Sequence, residues 1–193
     1  PWRGKWKTEL GGVLMGHAIH PHDMLCYLMG TLKSLFVRVA TRVNPIEVED
    51  CISASVELDS GALGSFTASL GSADEITRIR LAFENLTIES DHSPYNPGAA
   101  PWTILPRNDK TRDAIAALLK DWKDVPPRFT TQMSRFHDAL IGNGPLPVTS
   151  ADSRRALEIV TAFYYSSRTH QEVVFPIGKD HPNYQSWLPE GMA

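Results

Sequence analysis

Residues 51–58 alternate without a break: Ile52, Ala54, Val56 and Leu58 fall on one side, and Ser53, Ser55 and Glu57 on the other. Strict alternation marks a strand with one buried face. Asp59-Ser60-Gly61 follows as a turn signal. Residues 62–70 then alternate again, with Phe66, Ala68 and Leu70 opposing Ser65, Thr67 and Ser69. Two such runs joined through a glycine turn make a hairpin. A hairpin is antiparallel, so the chain is committed to an antiparallel sheet with one apolar face and one face of short polar residues.

Other strands extend this sheet. Residues 36–43 place Val37, Val39, Thr41 and Val43 on one face and Arg38 and Arg42 on the other. Residues 76–83 place Ile79, Leu81 and Phe83 inward and Arg78 and Arg80 outward. Residues 86–89 continue after a turn at Glu84-Asn85, and residues 172–177 form a last strand. Helical spacing appears in three later places. Residues 111–122 carry Ile115, Leu118, Leu119 and Trp122 on one stripe, and Pro126-Pro127 ends that helix. Residues 129–141 are stopped by Gly142-Asn143-Gly144-Pro145. Thr149 and Asp152 form a capping box before the longest helix, residues 150–169, whose inner stripe is Ala156, Ile159, Val160, Phe163 and Tyr164. The proline-rich stretch 91–108 reads as a long ordered loop with a short edge strand. One early helix, a run of strands, then helices and a final strand predict an α+β fold. It is a mostly antiparallel open sheet with helices on one face. The other face, rich in serine and threonine, is available for an oligomer contact.

A chain of 193 residues with 42% hydrophobic and 21% charged residues can build a substantial core and is not disordered. The formal net charge of −3 gives no basic footprint for nucleic acid. No apolar run approaches the roughly 20 residues of a membrane span. Two cysteines, Cys26 and Cys51, make neither a metal motif nor a disulfide framework. They read as buried small hydrophobes in a cytoplasmic protein. The chain begins at Pro1 and runs through Trp2-Arg3-Gly4-Lys5-Trp6 with no helix or strand to open a fold. It reads like the interior of a longer protein with no leader segment.

The chemistry concentrates in residues 13–29, an apolar helical stretch that follows Gly11-Gly12 and stops at Gly30. It holds His17, His20, His22 and Asp23. Pro21 inside it predicts a kink or restart beside His20. On a regular helix His17, His20 and Asp23 share a face and His22 points elsewhere. A neutral imidazole at His20 can accept a hydroxyl proton near pH 7, Asp23 can fix its tautomer, and Gly16 leaves room for a reactant. The same three residues are also suitable zinc ligands, which keeps a metal-dependent enzyme open. In the plainer reading these histidines cap the helix or bond backbone carbonyls. His137 and His170, near helix ends, are structural or surface residues.

Gly11-Gly12, then His20-x-x-Asp23 and Gly30, followed by Val48-Glu49-Asp50 leading to Asp59-Ser60-Gly61-Ala62-Leu63-Gly64, resemble the C-terminal domain of the glucose–fructose oxidoreductase / inositol dehydrogenase / MocA family. Phe136-His137-Asp138-Ala139-Leu140 and Pro147-Val148-Thr149 with the helix through Ser167 are similar to its closing helix pair. The resemblance spans most of residues 1–193. It implies the substrate-binding and oligomerisation domain of an NAD(P)-dependent oxidoreductase acting on a sugar, polyol or related hydroxy compound. The N-terminal Rossmann domain is absent from this chain, which has no Gly-x-Gly-x-x-Gly after a strand. NAD or NADP is then expected in the full-length enzyme and not on this chain alone, which is expected to be inactive. The implied partners are a small-molecule substrate, the Rossmann domain, and a second copy in a homodimer or tetramer through the sheet face. The resemblance carries His20 as the catalytic histidine and Asp23 as its helix partner. Where the family has an aspartate four residues before the histidine, this chain has Gly16, with His17 as its neighbour and possible substitute. Arg3 and Trp6 fall in a segment that approaches substrate. The alternative is a non-catalytic dimerisation or ligand-binding module of the same fold.

Overall fold

The computed structural model describes residues 2–98, 100–123 and 129–192. In chain order the elements are α1 (Trp6–Glu9), a π-helical segment (Leu14–Ala18) running directly into α2 (Ile19–Met29), β1 (Leu32–Ala40), β2 (Cys51–Leu58) and β3 (Leu63–Ser69). Then come β4 (Arg80–Ala82), β5 (Leu86–Glu89), β6 (Thr103–Pro106), α3 (Asp109–Leu119), α4 (Phe129–Leu140), α5 (Ser150–Thr169) and β7 (Val173–Val174). The chain opens with a one-turn helix where no element is expected. It divides into two units, residues 1–73 with 150–193, and residues 74–149.

The first unit holds a sheet of order β3-β2-β1-β7, antiparallel throughout. The hairpin forms as its alternation requires, with Gly61 at φ 83° in the turn. Ala54 lies opposite both Val37 and Phe66, and Ser53 opposite both Arg38 and Thr67. One face is therefore apolar and the other short and polar. The apolar face packs Leu35, Val37, Ile52, Ala54, Val56 and Leu58 against Ile159, Val160 and Phe163 of α5, and against Leu14, Ala18 and Cys26. Each fully buried aliphatic or phenyl side chain contributes about 1.5–3 kcal/mol. Ser166 Oγ accepts from Val37 N–H at 3.0 Å and donates to Gln171 O at 2.7 Å, fixing α5 to the central strand.

β1 begins at Leu32, not at residue 36. The register slips between Leu32 and Ser34, and Ser34 turns inward to donate to Glu172 Oε1 at 2.6 Å. This bulge hides the strand's start from the alternation. The strand also ends before residue 43. Arg42, Val43 and Asn44 turn their N–H groups onto the Asp50 carboxylate at 2.7–2.9 Å, and Val43 is left exposed. The expected strand 172–177 shrinks to Val173–Val174, beyond which Phe175 N–H reaches back to Lys33 O. Cys26 and Cys51 are both free thiols, the first buried.

The second unit holds a separate three-stranded antiparallel sheet, β4-β5-β6. The strands expected to form one sheet thus form two. Ile79 and Leu81 are buried there, but Phe83 follows the end of β4 and is exposed, against the inward position expected. The proline-rich loop is ordered by Asp91, whose carboxylate accepts from Ser93 Oγ, Gly98 N and Ala100 N at 2.7–2.8 Å. Asn108 caps α3 by accepting from Thr111 N–H at 2.9 Å. α3 ends at Leu119, so Trp122 leaves the expected stripe, and Leu118 is exposed. Pro126-Pro127 lies outside the described residues. The architecture is α+β and mostly antiparallel, with helices on one face of the first sheet. Among the described residues no helix is long and apolar enough to cross a membrane.

Candidate functional site

Gly11-Gly12 exists to let a carboxylate reach the start of the helical stretch. Glu49, buried beside Asp50 ahead of β2, accepts from Gly12 N–H and Leu14 N–H at 3.0 Å through Oε1. Its backbone oxygen accepts from Val13 N–H at 2.8 Å. A Cβ on Gly12 would lie 1.9 Å from that oxygen, so no side chain can stand there. Tyr164 of α5 donates to the same Oε1 at 2.9 Å. Burial, against these hydrogen bonds, pushes the Glu49 carboxyl above its ordinary range. The carboxylate satisfies the free donors of the first turn.

From this anchor the chain winds through the wider π turn before α2. Ile19 N–H reaches Leu14 O as well as His17 O. Pro21 follows two residues later. A proline ring crowds the carbonyl four residues back, here that of His17, and cannot donate to it. The widened turn includes that carbonyl, so the expected kink is taken up as a π segment and not as a break.

His20 and His22 both lie on α2, two residues apart, and so point to opposite sides of it. His20 is exposed on the first turn of α2. His17 is half-buried. Burial and the neighbouring Arg3 lower its pKa, Glu9 acts in the opposite direction, and His20 lowers it further. The Glu9 carboxylate lies beside Gly16, and the charges of Arg3, Glu9 and His20 all act on His17. His22, expected to point away from the working face, enters the core. It is 2% exposed, with ring centroids 6.3 Å from Phe66 and 6.2 Å from Phe163. Neither ring nitrogen has a hydrogen-bond partner among the described residues, and burial, then the charge of His20, lower its pKa to about 4.

Two expected partners are not brought to His20. Asp23 is exposed, and no hydrogen bond among the described residues joins it to that ring, so it does not fix the tautomer here. Trp6 packs edge-on to Tyr164 at 5.4 Å and lines a pocket of about 250 Å³ with Glu49, Ser167 and Arg168, which neither His17 nor His20 lines. Arg3 is exposed, its guanidinium 5.2 Å from the Trp2 ring centroid. The zinc reading has no support in the geometry: among the described residues, no three His, Cys, Asp or Glu side chains are placed to hold a metal ion. Glu9 escaped the sequence reading because it sits outside the histidine segment. Its carboxylate Oε2 accepts from Gly4 N–H at 2.6 Å, which folds the N-terminal turn back towards Gly16.

Residues 1–89 match the family model of the GFO/IDH/MocA C-terminal domain. Solved structures extend the likeness of fold over nearly the whole chain. The WlbA dehydrogenase from Bordetella pertussis, in complex with NADH and UDP-GlcNAcA, is 24% identical, with a TM-score of 0.70 over 92% of this chain and 49% of its own. The aldose–aldose oxidoreductase from Caulobacter crescentus, complexed with glycerol, is 19% identical, with a TM-score of 0.69 over 91% and 51%. Levoglucosan dehydrogenase, in complex with NADH and levoglucosan, is 16% identical, with a TM-score of 0.70 over 92% and 54%. The chain spans about half the length of these structures, and no curated protein sequence matches it.

A nicotinamide dinucleotide does not fit the residues present. Pyrophosphate is held by free N–H groups at a helix start in a strand–helix–strand unit. The glycine pair here precedes a helix start whose N–H groups are already taken by the buried Glu49 carboxyl, in the place a phosphate would need. Every strand pairing among the described residues is antiparallel.

Proposed function

We propose that this GFO/IDH/MocA domain seats a small hydroxyl-bearing substrate, a sugar, polyol or related compound, and that His20 accepts the proton of the reacting hydroxyl. The observation that carries the reading is the position of His20. It is the exposed imidazole of the segment, one helical turn from the bare backbone of Gly16, while His22 two residues on is sealed between phenyl rings. A ring open to solvent can meet a substrate and release its proton afterwards; a sealed one can do neither. The ligands of the structural neighbours support the substrate class, because UDP-GlcNAcA, glycerol and levoglucosan all present hydroxyl groups.

The domain's part is binding and proton transfer, with His17 beside the base and Arg3 at the edge of the same surface. NAD or NADP belongs to a separate N-terminal dinucleotide-binding domain. The polar face of the first unit's sheet, with Ser53, Ser55, Ser65 and Thr67 exposed, suits a second copy in a dimer or tetramer. Two free cysteines suit a cytoplasmic setting. In the full-length protein His20→Ala is expected to lower turnover by roughly 100-fold or more, the usual contribution of a positioned base, with the thermal midpoint unchanged. A rate near the parent's would leave the domain as a binding or dimerisation module.

A further inference from the structure

The pocket beside Trp6 in the first unit brings together two exposed charges of opposite sign and a buried carboxyl with an unused oxygen. Its volume is about 250 Å³, and its walls include Trp6, Glu47, Glu49, Tyr164, Ser167 and Arg168. Glu49 and Tyr164 are 4% and 2% exposed, and the Tyr164 hydroxyl donates to Glu49 Oε1 at 2.9 Å. That oxygen also accepts from Gly12 N–H and Leu14 N–H, whereas Oε2 has no hydrogen-bond partner among the described residues. A buried polar atom left without a partner costs stability, and a ligand that supplies the partner recovers it. Arg168 is exposed, with Nη2 donating to Trp187 O at 2.8 Å and the guanidinium 6.0 Å from the Tyr164 ring centroid. Glu47 is exposed too. Among the described residues, neither Arg168 nor Glu47 forms an ion pair, with the other or with any third side chain.

We infer that this pocket binds a small zwitterion with a carboxylate and an ammonium on one carbon, which is a free α-amino acid. The carboxylate meets the Arg168 guanidinium, whose fork keeps N–H donors beyond the one given to Trp187. Ser167, next to Arg168 on α5, adds a hydroxyl. The ammonium has three donors and no acceptor, and it meets the Glu47 carboxylate and Oε2 of Glu49. The ligand's side chain lies against Trp6, which stands edge-on to Tyr164 at 5.4 Å. Charge decides the class. A simple carboxylate would meet Glu47 as well as Arg168, and a simple amine would meet Arg168 as well as Glu47. Each half alone carries a like-charge contact that the zwitterion replaces with a pair. His17 and His20 do not line the pocket, so this role is independent of the base assigned to His20.

Calorimetric titration of the full-length protein tests it, with glycine and L-valine as probes. The controls are the two halves of L-valine: isovalerate, which lacks the ammonium, and isobutylamine, which lacks the carboxylate. An amino acid is expected to bind, and each half to bind at least about tenfold more weakly. Arg168→Gln and Glu47→Gln should each weaken the amino acid about tenfold, while Glu47→Gln should strengthen isovalerate, because the repelling anion is gone. Ser167→Leu fills the pocket and leaves both charges in place; it should abolish binding. Glu47 is exposed, so Glu47→Gln keeps the test valid even where Ser167→Leu fails to fold. His20→Ala should bind the amino acid as the parent does, whatever its turnover. No heat with either amino acid overturns the proposal. Isovalerate binding as tightly as L-valine makes this an anion site and overturns the zwitterion. Amino-acid binding that survives Arg168→Gln and Glu47→Gln unchanged lies elsewhere on the protein and overturns the pocket.

Discussion

His22 is a neutral ring between Phe66 and Phe163, with no hydrogen-bond partner on either nitrogen among the described residues. Its pKa is about 4 in the folded protein against an ordinary 6.5, because burial penalises the charged form. Above pH 6.5 the ring is neutral whether the chain is folded or not, and stability is unaffected. As pH falls from 6.5 towards 4 the unfolded chain gains a proton that the folded core refuses. Stability should therefore drop by about 3 kcal/mol over that window. Thermal unfolding from pH 7 to pH 4 measures this, and His22→Leu should flatten the curve relative to the parent. An equal acid slope in both proteins would show that His22 is not the group responsible. The contrast with His20 was only half legible. The residue types announced proton chemistry, and regular helical spacing named His20. The same spacing set His22 on the opposite side from His20, but it did not say that this side would face the core.

The elements that could be read were those whose side chains alternate or recur without interruption. β2 matches its pattern residue for residue; α5 keeps its expected bounds, but Thr161, Ala162 and Ser166 are buried beyond the expected stripe and Ala156 is only half-buried. Elements went astray where a polar side chain rewrites the backbone. Ser34 hides the start of β1 by turning inward to Glu172, and Asp50 ends it by collecting three N–H groups. α1 spans a single turn and has no period to detect, yet it carries Glu9. The glycine pair was conspicuous, but its reason is a contact between distant residues: Glu49 comes from beyond β1 to close the helix start. Nothing local to Gly12 foretells a carbonyl at 1.9 Å from its missing side chain.

At the scale of the whole molecule, the α+β class followed from the order of strands and helices. The division into two sheets did not, because alternation states that a strand has two faces and not which sheet it joins. The exposed polar face of the first sheet gives a testable assembly. The full-length protein is expected to sediment as a dimer or tetramer, and Ser55→Glu with Thr67→Glu, which place two negative charges on that face, should shift it towards monomer. A monomeric parent would remove the sheet face as an interface. The central claim concerns the other side of the same unit, where His20 stands open beside Gly16. Its most direct test is a crystal structure of the full-length protein with a bound hydroxy compound. The account predicts a His20 ring nitrogen within about 3 Å of a substrate hydroxyl oxygen, the reach of a working base. A substrate seated away from His20, with that ring facing bulk solvent or a neighbouring copy, would contradict it.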